Sequence, residues 1–422
     1  MKGRVLIVGA GAAGLMAAVG AAEAGAEVLL LEKNEKPGKK IYITGKGRCN
    51  LTNDADDDTF FSSVISNPRF LYSAYHAFPN TAVKELLAEN GCPVKTERGK
   101  RVFPVSDHAS DVTKALVRAA EGDGVKIRLN TKVRGVLKED GTAKGVLLAD
   151  GGSIPADAVI LATGGLSYPS TGSDGDGHRF AKELGHRIVS CIPSLVSFRT
   201  EETVFREAAG LTLKNVRLKI VKKGEKKALF KEEGELLFTH TGISGPLVLS
   251  ASSLLGRRLE KKEVLEASVD LKPAVTAEEL DARLVRLIAE SPNKSLRTVL
   301  GAMLPASLIV PFLSYCGQDP ALPGNALKKE SRQWIIAAFK GLKMTVTSAG
   351  DFNEAVVTKG GVNVKEIDPG TMESRLIRGL FFAGELIDVD ALTGGFNLQI
   401  AWSTGYLAGR SAASYVKEKY GI

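Results

Sequence analysis

The chain has 422 residues, 44% of them hydrophobic and 25% charged, with a formal net charge of +8. That length exceeds one ordinary domain, and that balance is the one a soluble globular protein shows. Four cysteines (Cys49, Cys92, Cys191 and Cys316) stand far apart with no C-x-x-C pair. Their spacing excludes a disulfide framework and a zinc site, and it fits a reducing cytoplasm.

The chain opens on VLIVGAGAAGLMAAVGAAEAGAEVLLLEK, Val5 to Lys33. Residues 5–22 carry no charge. Three fingerprint glycines, many alanines and sparse flanking basic residues argue against a signal or membrane segment there, and no other stretch is a spanning candidate. Val5 to Val8 is an apolar run suited to a buried parallel strand. Gly9, Gly11 and Gly14 form G-x-G-x-x-G, and Ala12 and Ala13 begin an alanine-rich helix that Gly25 closes. A second apolar strand, Glu27 to Leu31, ends at Glu32. Gly9 makes the tight turn, Gly11 lets a pyrophosphate approach the backbone, and Gly14 lets helix and strand pack closely. The helix N-terminus offers free N–H groups to phosphates. Glu32 stands where a ribose diol is held, and its charge disfavours a 2′-phosphate.

The following KPGKKIYITGKGRCNLTN mixes Lys39, Lys40, Lys46 and Arg48 with Gly38, Gly45 and Gly47. Such a loop suits a bound anion or an electron-rich ring. A helix is expected over Thr81–Asn90, a hairpin turning at Arg98-Gly99, and a helix over Asp111–Ala120. Strands with turns at Asp140-Gly141 and Gly151-Gly152 follow. Ala158 to Ala162 is a continuous apolar strand ending in Thr163-Gly164-Gly165, which places more backbone near the dinucleotide.

From about residue 189 to 275 short alternating stretches read as antiparallel strands. A basic run from Lys214 through Lys222, Lys223, Lys226 and Lys227 to Lys231 reads first as a solvated hairpin. Thr276 and Glu279 then form a capping box, and Leu280, Leu284, Leu287 and Ile288 recur at helical spacing. Short helices continue over Ser295–Leu304, Ala306–Tyr315 and Ala326–Phe339. The nucleotide-domain pattern returns near Phe352. Leu380 to Ala383 is a strand ending in Gly384-Glu385, and Thr393-Gly394-Gly395 opens a final helix over Phe396–Ala412. That helix start offers N–H groups to a ring carbonyl that turns anionic on reduction.

These segments together resemble the flavoproteins with two dinucleotide-binding folds. GAGAAG (Gly9–Gly14), TGKGRCNLTN (Thr44–Asn53), ATGGLSYPSTGSDGDG (Ala162–Gly177), FTHTGISGP (Phe238–Pro246), VTKGGV (Val357–Val362) and FAGELIDVDALTGGFNLQIAWSTG (Phe382–Gly405) are similar to the BaiN-type, aminoacetone-oxidase-like family. The resemblance runs over nearly the whole chain. It implies an α/β fold: a Rossmann-like FAD-binding domain interrupted by a β-barrel-like insert and a small helical insert. The expected ranges are 1–188 and 346–422 for the FAD domain, 189–275 and 329–345 for the barrel, and 276–328 for the helical part.

The resemblance implies FAD contacts at Gly9, Gly11, Ala13, Gly14, Glu32, Lys33, Gly47, Arg48, Cys49, Asn50, Ala162, Thr163, Gly164, Gly384, Glu385, Gly395, Asn397 and Leu398. Val133 is expected to meet the adenine through its backbone. Ala12, Lys39, Gly45 and Gly394 complete the expected cofactor set from the motifs. The family's names imply reduction of enones in steroid-like acids or oxidation of a small amine.

The leading expectation is an FAD-dependent oxidoreductase acting on a small organic substrate, with the 189–345 insert helping to line the substrate pocket. There is no second G-x-G-x-x-G between a strand and a helix, so NADH or NADPH is expected only as a transient electron donor. The alternative is a flavoprotein that modifies or binds RNA through the basic insert. Nucleic acid is the less favoured partner, because only Phe230 interleaves the basic run. A weaker reading makes Cys49 a redox sensor. No metal-ligand or Ser-His-Asp spacing appears. Among five histidines, His240 alone sits in a motif, and with Arg48 it is the candidate for catalysis.

Overall fold

The computed structural model describes residues 3–421 and divides the chain into two compact units. One joins the residues up to 193 with those from 352 onward, and the other holds 194–351. Residues 1, 2 and 422, the outer ends of the expected FAD-domain ranges, lie outside the described residues. Each unit has its own apolar core.

In the first unit β1 (Arg4–Val8) runs into α1 (Ala12–Glu23) and returns as β2 (Glu27–Leu31). The two strands pair in parallel, Val5 beside Val28 and Val8 beside Leu31. Their apolar residues, apart from half-buried Leu29, are buried, as a helix-covered parallel sheet requires. A short helix, α2 (Lys39–Ile43), stands where a loop was expected. Further on come α3 (Ala109–Gly122), β3 (Lys126–Arg128), β4 (Ala158–Leu161) and α4 (Asp176–Glu183).

The second unit is built on a closed barrel of six strands. They are β5 (Phe198–Thr200), β6 (Thr212–Lys222), β7 (Ala228–Phe238), β8 (Gly242–Ser244), β9 (Leu265–Asp270) and β10 (Leu342–Ala349). The basic run occupies the β6–β7 hairpin. Two elements depart from the strand-like reading of 189–275: Thr203–Ala208 is a short 3-10 helix, and Pro246–Glu260 is a helix, α5. Pro246 stands in its first turn, where a missing N–H costs nothing. Leu247, Ala251, Leu255 and Leu259 then recur every fourth residue and are buried. The helical period is therefore present, hidden among flanking strands. Between β9 and β10 come α6 (Ala277–Glu290), α7 (Ala306–Tyr315) and α8 (Lys329–Lys340). Thr276 caps α6 as expected, with Thr276 N donating to Glu279 at 2.8 Å and Glu279 N to Thr276 Oγ1 at 3.2 Å.

The chain re-enters the first unit as β11 (Val357–Val362), β12 (Leu380–Phe382) and α9 (Phe396–Tyr420). The main sheet has the order β12-β4-β1-β2-β3, all parallel. Helix α9 runs two turns past the expected end and stops at Gly421. It lies directly on α1. A Cβ on Gly405 would sit 2.2 Å from Ala13 O, and one on Gly409 2.1 Å from Ala17 O, so only glycine permits this backbone contact. Among the described residues no helix is long and apolar enough to cross a membrane.

Candidate cofactor site

The parallel order brings the ends of β1, β4 and β12 side by side, and each ends in glycine-rich backbone. At the first end the three fingerprint glycines do three different things. Gly9 has φ +102°, and a Cβ there would meet Ala162 O at 2.6 Å. A Cβ on Gly14 would lie 1.8 Å from Gly9 O, so that glycine sets the helix against the strand. Gly11 differs from both. Its φ is −80° and nothing lies within 4 Å of a Cβ built on it. The folded chain itself would tolerate a side chain at Gly11, so only a molecule bound above the turn needs a glycine there. No side chain caps α1, which leaves its first N–H groups for that molecule.

Glu32 is buried at the tip of β2. Its carboxylate accepts from Ala10 N at 2.8 Å, Asn34 N at 2.9 Å and Asn34 Nδ2 at 2.7 Å. Both Asn34 donors go to Oε1 and Ala10 N goes to Oε2, so Oε2 keeps acceptor capacity for a diol. Lys33 is ion-paired with Asp174 at 2.7 Å and Lys39 with Glu35 at 2.9 Å, so both cations are already neutralised. Val133 is buried and pairs with Leu148.

The segment after α2 is held in an unusual backbone. Gly45, Lys46, Gly47 and Cys49 have φ of +56°, +58°, +84° and +61°. Lys46 and Cys49 gain nothing from glycine's freedom, so the loop stores strain, which is a mark of a functional segment. Arg48 anchors it. The guanidinium donates to Glu97 and to Asp107, each at 2.5 Å, and lies 4.2 Å over the Phe103 ring. Its hydrogen bonds to Glu97 and Asp107 push its pKa up further. Cys49 is fully buried, and burial pushes its thiol up to about 12. A thiol that stays protonated at neutral pH is a poor sensor, so Cys49 reads as a small residue filling the wall. Asn50 Oδ1 is buried with no hydrogen-bond partner.

At the second strand end Ala162 N donates to Val8 O at 3.0 Å, and Gly164 has φ +74°. Thr163 Oγ1 is buried and unpartnered. At the third end Gly384 has φ +72°, and a Cβ there would meet the Ala13 Cβ at 2.7 Å. Glu385 gathers four segments. It accepts from Lys40 Nζ at 2.5 Å, Ser167 Oγ at 2.7 Å and Thr358 N at 2.6 Å. Burial alone would raise the Glu385 carboxyl, but Lys40 and these donors outweigh it and hold it below the ordinary carboxylate range. The sequence named Lys40 only among the cations of its loop, and Ser167 and Thr358 only as positions within longer motifs. Nothing in KPGKK distinguishes the lysine that turns inward from its neighbour Lys39.

Gly394 and Gly395, with φ of +127° and +102°, open α9. A Cβ on Gly395 would sit 2.3 Å from Thr52 O. Asn397 bonds to Ala391 N and O at 2.9 and 2.8 Å, closing its own loop. No side chain caps this helix, and half-buried Leu398 stands in its first turn. His240 lies in the second unit, exposed on the turn between β7 and β8. Thr239 Oγ1 takes the Gly242 N–H at 3.1 Å, so Thr239 fastens that turn, and the His240 ring has no hydrogen bond among the described residues.

Two orphaned buried polar atoms, an open Gly11 and two uncapped helix starts fit a dinucleotide carrying a ring. Fold and site together define an FAD-dependent oxidoreductase of the flavoprotein class. The chain belongs to the HI0933-like family, whose Rossmann-domain model matches residues 3–411. It is 35% identical over 413 residues to 3-dehydro-bile acid delta(4,6)-reductase of Clostridium scindens, covering 97% of this chain and 99% of that protein. It is 32% identical over 401 residues to ribosomal RNA dihydrouridine synthase of Escherichia coli, covering 95% and 96%. Among solved structures it shares the fold of a 3-ketosteroid-delta4-(5alpha)-dehydrogenase from Rhodococcus jostii, with TM-score 0.55 and 18% identity over 97% of this chain and 96% of that one.

Glu32→Ala is expected to act twice. It removes acceptors for the diol, and it orphans the buried Ala10 N–H, a loss of about 1–3 kcal/mol. Apoprotein of this variant melts lower than wild type, and calorimetric titration shows weaker FAD binding. Equal melting and equal affinity would remove Glu32 from the site.

Proposed function

We propose that this protein reduces a carbon–carbon double bond conjugated to a carbonyl, with FAD as its redox cofactor. The observation that carries this reading is the pair of end-to-end relatives. Their names describe different molecules and one kind of bond. In a 3-oxo steroid the Δ4,6 double bonds extend from the ketone. In uridine the C5–C6 double bond extends from the C4 carbonyl, and dihydrouridine has it saturated. Both reductions add a hydride at the carbon remote from the carbonyl and a proton at the carbon beside it. A free small molecule is the simpler carrier of such a bond.

When bound and reduced by the donor, FAD would supply the hydride. The rest is work for the chain. We assign the diphosphate to the turn at Gly9, Gly11, Ala12, Ala13 and Gly14, and the adenosine ribose to Glu32, with Val133 at the adenine. Asn50, Thr163, Gly164, Gly384, Gly394, Gly395 and Leu398 complete the cradle, with Cys49 and Ala162 as wall. The uncapped start of α9 favours negative charge on the ring. Arg48, Lys33, Lys39, Glu385 and Asn397 act as positioning residues, since their side chains are committed to protein partners. NADH or NADPH is the proposed electron donor. The cytoplasm is the proposed location, which agrees with the buried free thiols Cys49, Cys92 and Cys316.

His240 is the proposed proton donor. Its ring is exposed and makes no hydrogen bond among the described residues, and imidazole is the side chain most often used as a general acid. His240→Ala should keep FAD content and thermal stability, because the side chain is exposed on a turn. The substrate half-reaction should slow by roughly 10²–10⁴-fold. A variant that turns over normally returns His240 to a place on the turn. The reading as a whole is tested by incubating the holoprotein with NADH or NADPH and a 3-oxo-Δ4 steroid acid, then weighing the product by mass spectrometry. A gain of two hydrogens is expected.

A further inference from the structure

A cavity of about 460 Å³ opens in the first unit, and none of the residues assigned to FAD lines it. Its size is that of a small-molecule pocket. One wall is the strand Val133–Glu139, an outer member of a three-stranded antiparallel sheet. The other is α4, with Leu184 just past its end. The lining is largely apolar. Val136, Leu137, Leu147 and Leu184 are half-buried, and Phe180 is buried. The half-buried side chains have apolar surface left to cover.

Gly135 stands inside this strand. Glycine weakens a strand and persists there where a bulge, a bend or a close approach requires it. At the other strand glycines the fold supplies the reason. A Cβ on Gly145 would sit 2.1 Å from Ile154 O, and one on Gly242 2.2 Å from Phe198 O. Nothing lies within 4 Å of a Cβ built on Gly135, and its φ is outside the left-handed region. The ladder shifts register between Val133 and Gly135, but the extra residue there is Arg134, and Gly135 itself pairs with Leu147. Paired residues share a face of a sheet, and Leu137, two residues on, shares it too. All three line the cavity, so the bare backbone of Gly135 looks into it.

The charges of the lining do not cancel. Arg179 and Glu183 pair at 3.1 Å, and Arg179 also meets Asp176 at 3.0 Å. Arg134 and Lys138 are exposed and have no acidic partner among the described residues. Four strand residues, roughly 13 Å, separate their Cα atoms, a span that two long side chains can close upon one anion.

The geometry points to a binding site for a linear apolar acid of the fatty-acid class. The hydrocarbon chain lies along Gly135, Leu137 and Leu147, and the carboxylate meets Arg134 and Lys138 at the rim. The class follows from the two halves of the lining. A small inorganic anion gains nothing from the aliphatic wall. A neutral hydrocarbon leaves both cations unused. A flat aromatic ligand needs an open ring to stack on, and Phe180 is buried with the Arg179 guanidinium 4.6 Å from its centroid. The site is independent of the reductase reading.

The test is calorimetric titration of holoprotein with decanoate and, separately, with decan-1-ol. Wild type binds decanoate at one site and decan-1-ol at least ~10-fold more weakly, the loss of charge-assisted hydrogen bonds. Arg134→Gln/Lys138→Gln weakens decanoate at least ~10-fold and leaves decan-1-ol unchanged. Gly135→Val places a branched side chain in the hollow and abolishes binding of both. Valine favours a strand, so this variant melts no lower than wild type and keeps its full FAD content. No decanoate binding by wild type, decan-1-ol binding as tight as decanoate, or decanoate binding that survives Gly135→Val overturns the inference. Loss of FAD from Gly135→Val also overturns it, because the cavity would then belong to the cofactor cradle.

Discussion

Gly11→Val is expected to abolish FAD binding and to leave the apoprotein folded. The two halves of that result come from two measurements on one glycine. Its φ of −80° is open to any residue, and no atom lies within 4 Å of an added Cβ, so a valine finds room in the empty turn. The same branched side chain then occupies the space above the helix N-terminus, where the diphosphate must come within hydrogen-bonding distance of the backbone. Gly9 and Gly14 are different. There an added Cβ strikes Ala162 O at 2.6 Å or Gly9 O at 1.8 Å, so substitutions at those positions damage the fold itself. The variant purifies colourless, with a far-ultraviolet circular dichroism spectrum and melting point matching those of wild-type apoprotein. Full flavin occupancy in Gly11→Val would move the diphosphate away from this turn.

Asp390→Ala destabilises the protein by about 3–5 kcal/mol, the cost of leaving one member of a buried ion pair alone. Asp390 is 1% exposed, and its Oδ1 lies 3.0 Å from Lys359 Nζ. Lys359 also donates to Ser66 Oγ at 3.0 Å, and Ser66 Oγ donates to Asp390 at 2.5 Å. Three distant stretches of chain meet there, one of them the loop that leads into Gly394 and Gly395. Removing the carboxylate leaves the Lys359 ammonium buried without its counter-charge. Lys359→Met combined with Asp390→Leu recovers much of the loss, because an apolar pair of similar volume carries no such penalty. Chemical denaturation of the apoproteins measures both. An Asp390→Ala midpoint equal to wild type would show that the pair contributes nothing.

How much of this was legible in the sequence depended on whether a residue's job is local. Gly9, Gly11 and Gly14 act within one turn, so their spacing alone announced the strand–turn–helix geometry they form. The capping box at Thr276 and Glu279 is likewise complete within four residues. Helix α5 was hidden because its buried leucines and alanine sit between long strands of similar composition, and the alternation on either side masked the fourfold repeat. The partners of Arg48 are Glu97 and Asp107, about fifty and sixty positions away, and no local pattern announces them. The same holds for Lys40 with Glu385 and for Lys359 with Asp390. The pairing of Lys219 with Lys231 across β6 and β7 likewise depends on register, and a shift of one residue would have sent Lys219 to the other face.

The most direct test of the reductase reading is an anaerobic rapid-mixing experiment. Holoprotein is first reduced with a slight deficit of dithionite and then mixed with a 3-oxo-Δ4 steroid acid, or with a uridine-containing RNA stem-loop. The result expected is return of the oxidised flavin absorbance in step with loss of the substrate double bond, and a product heavier by two hydrogens. Flavin that stays reduced with both substrates, yet reoxidises at once on admission of oxygen, would contradict the reading.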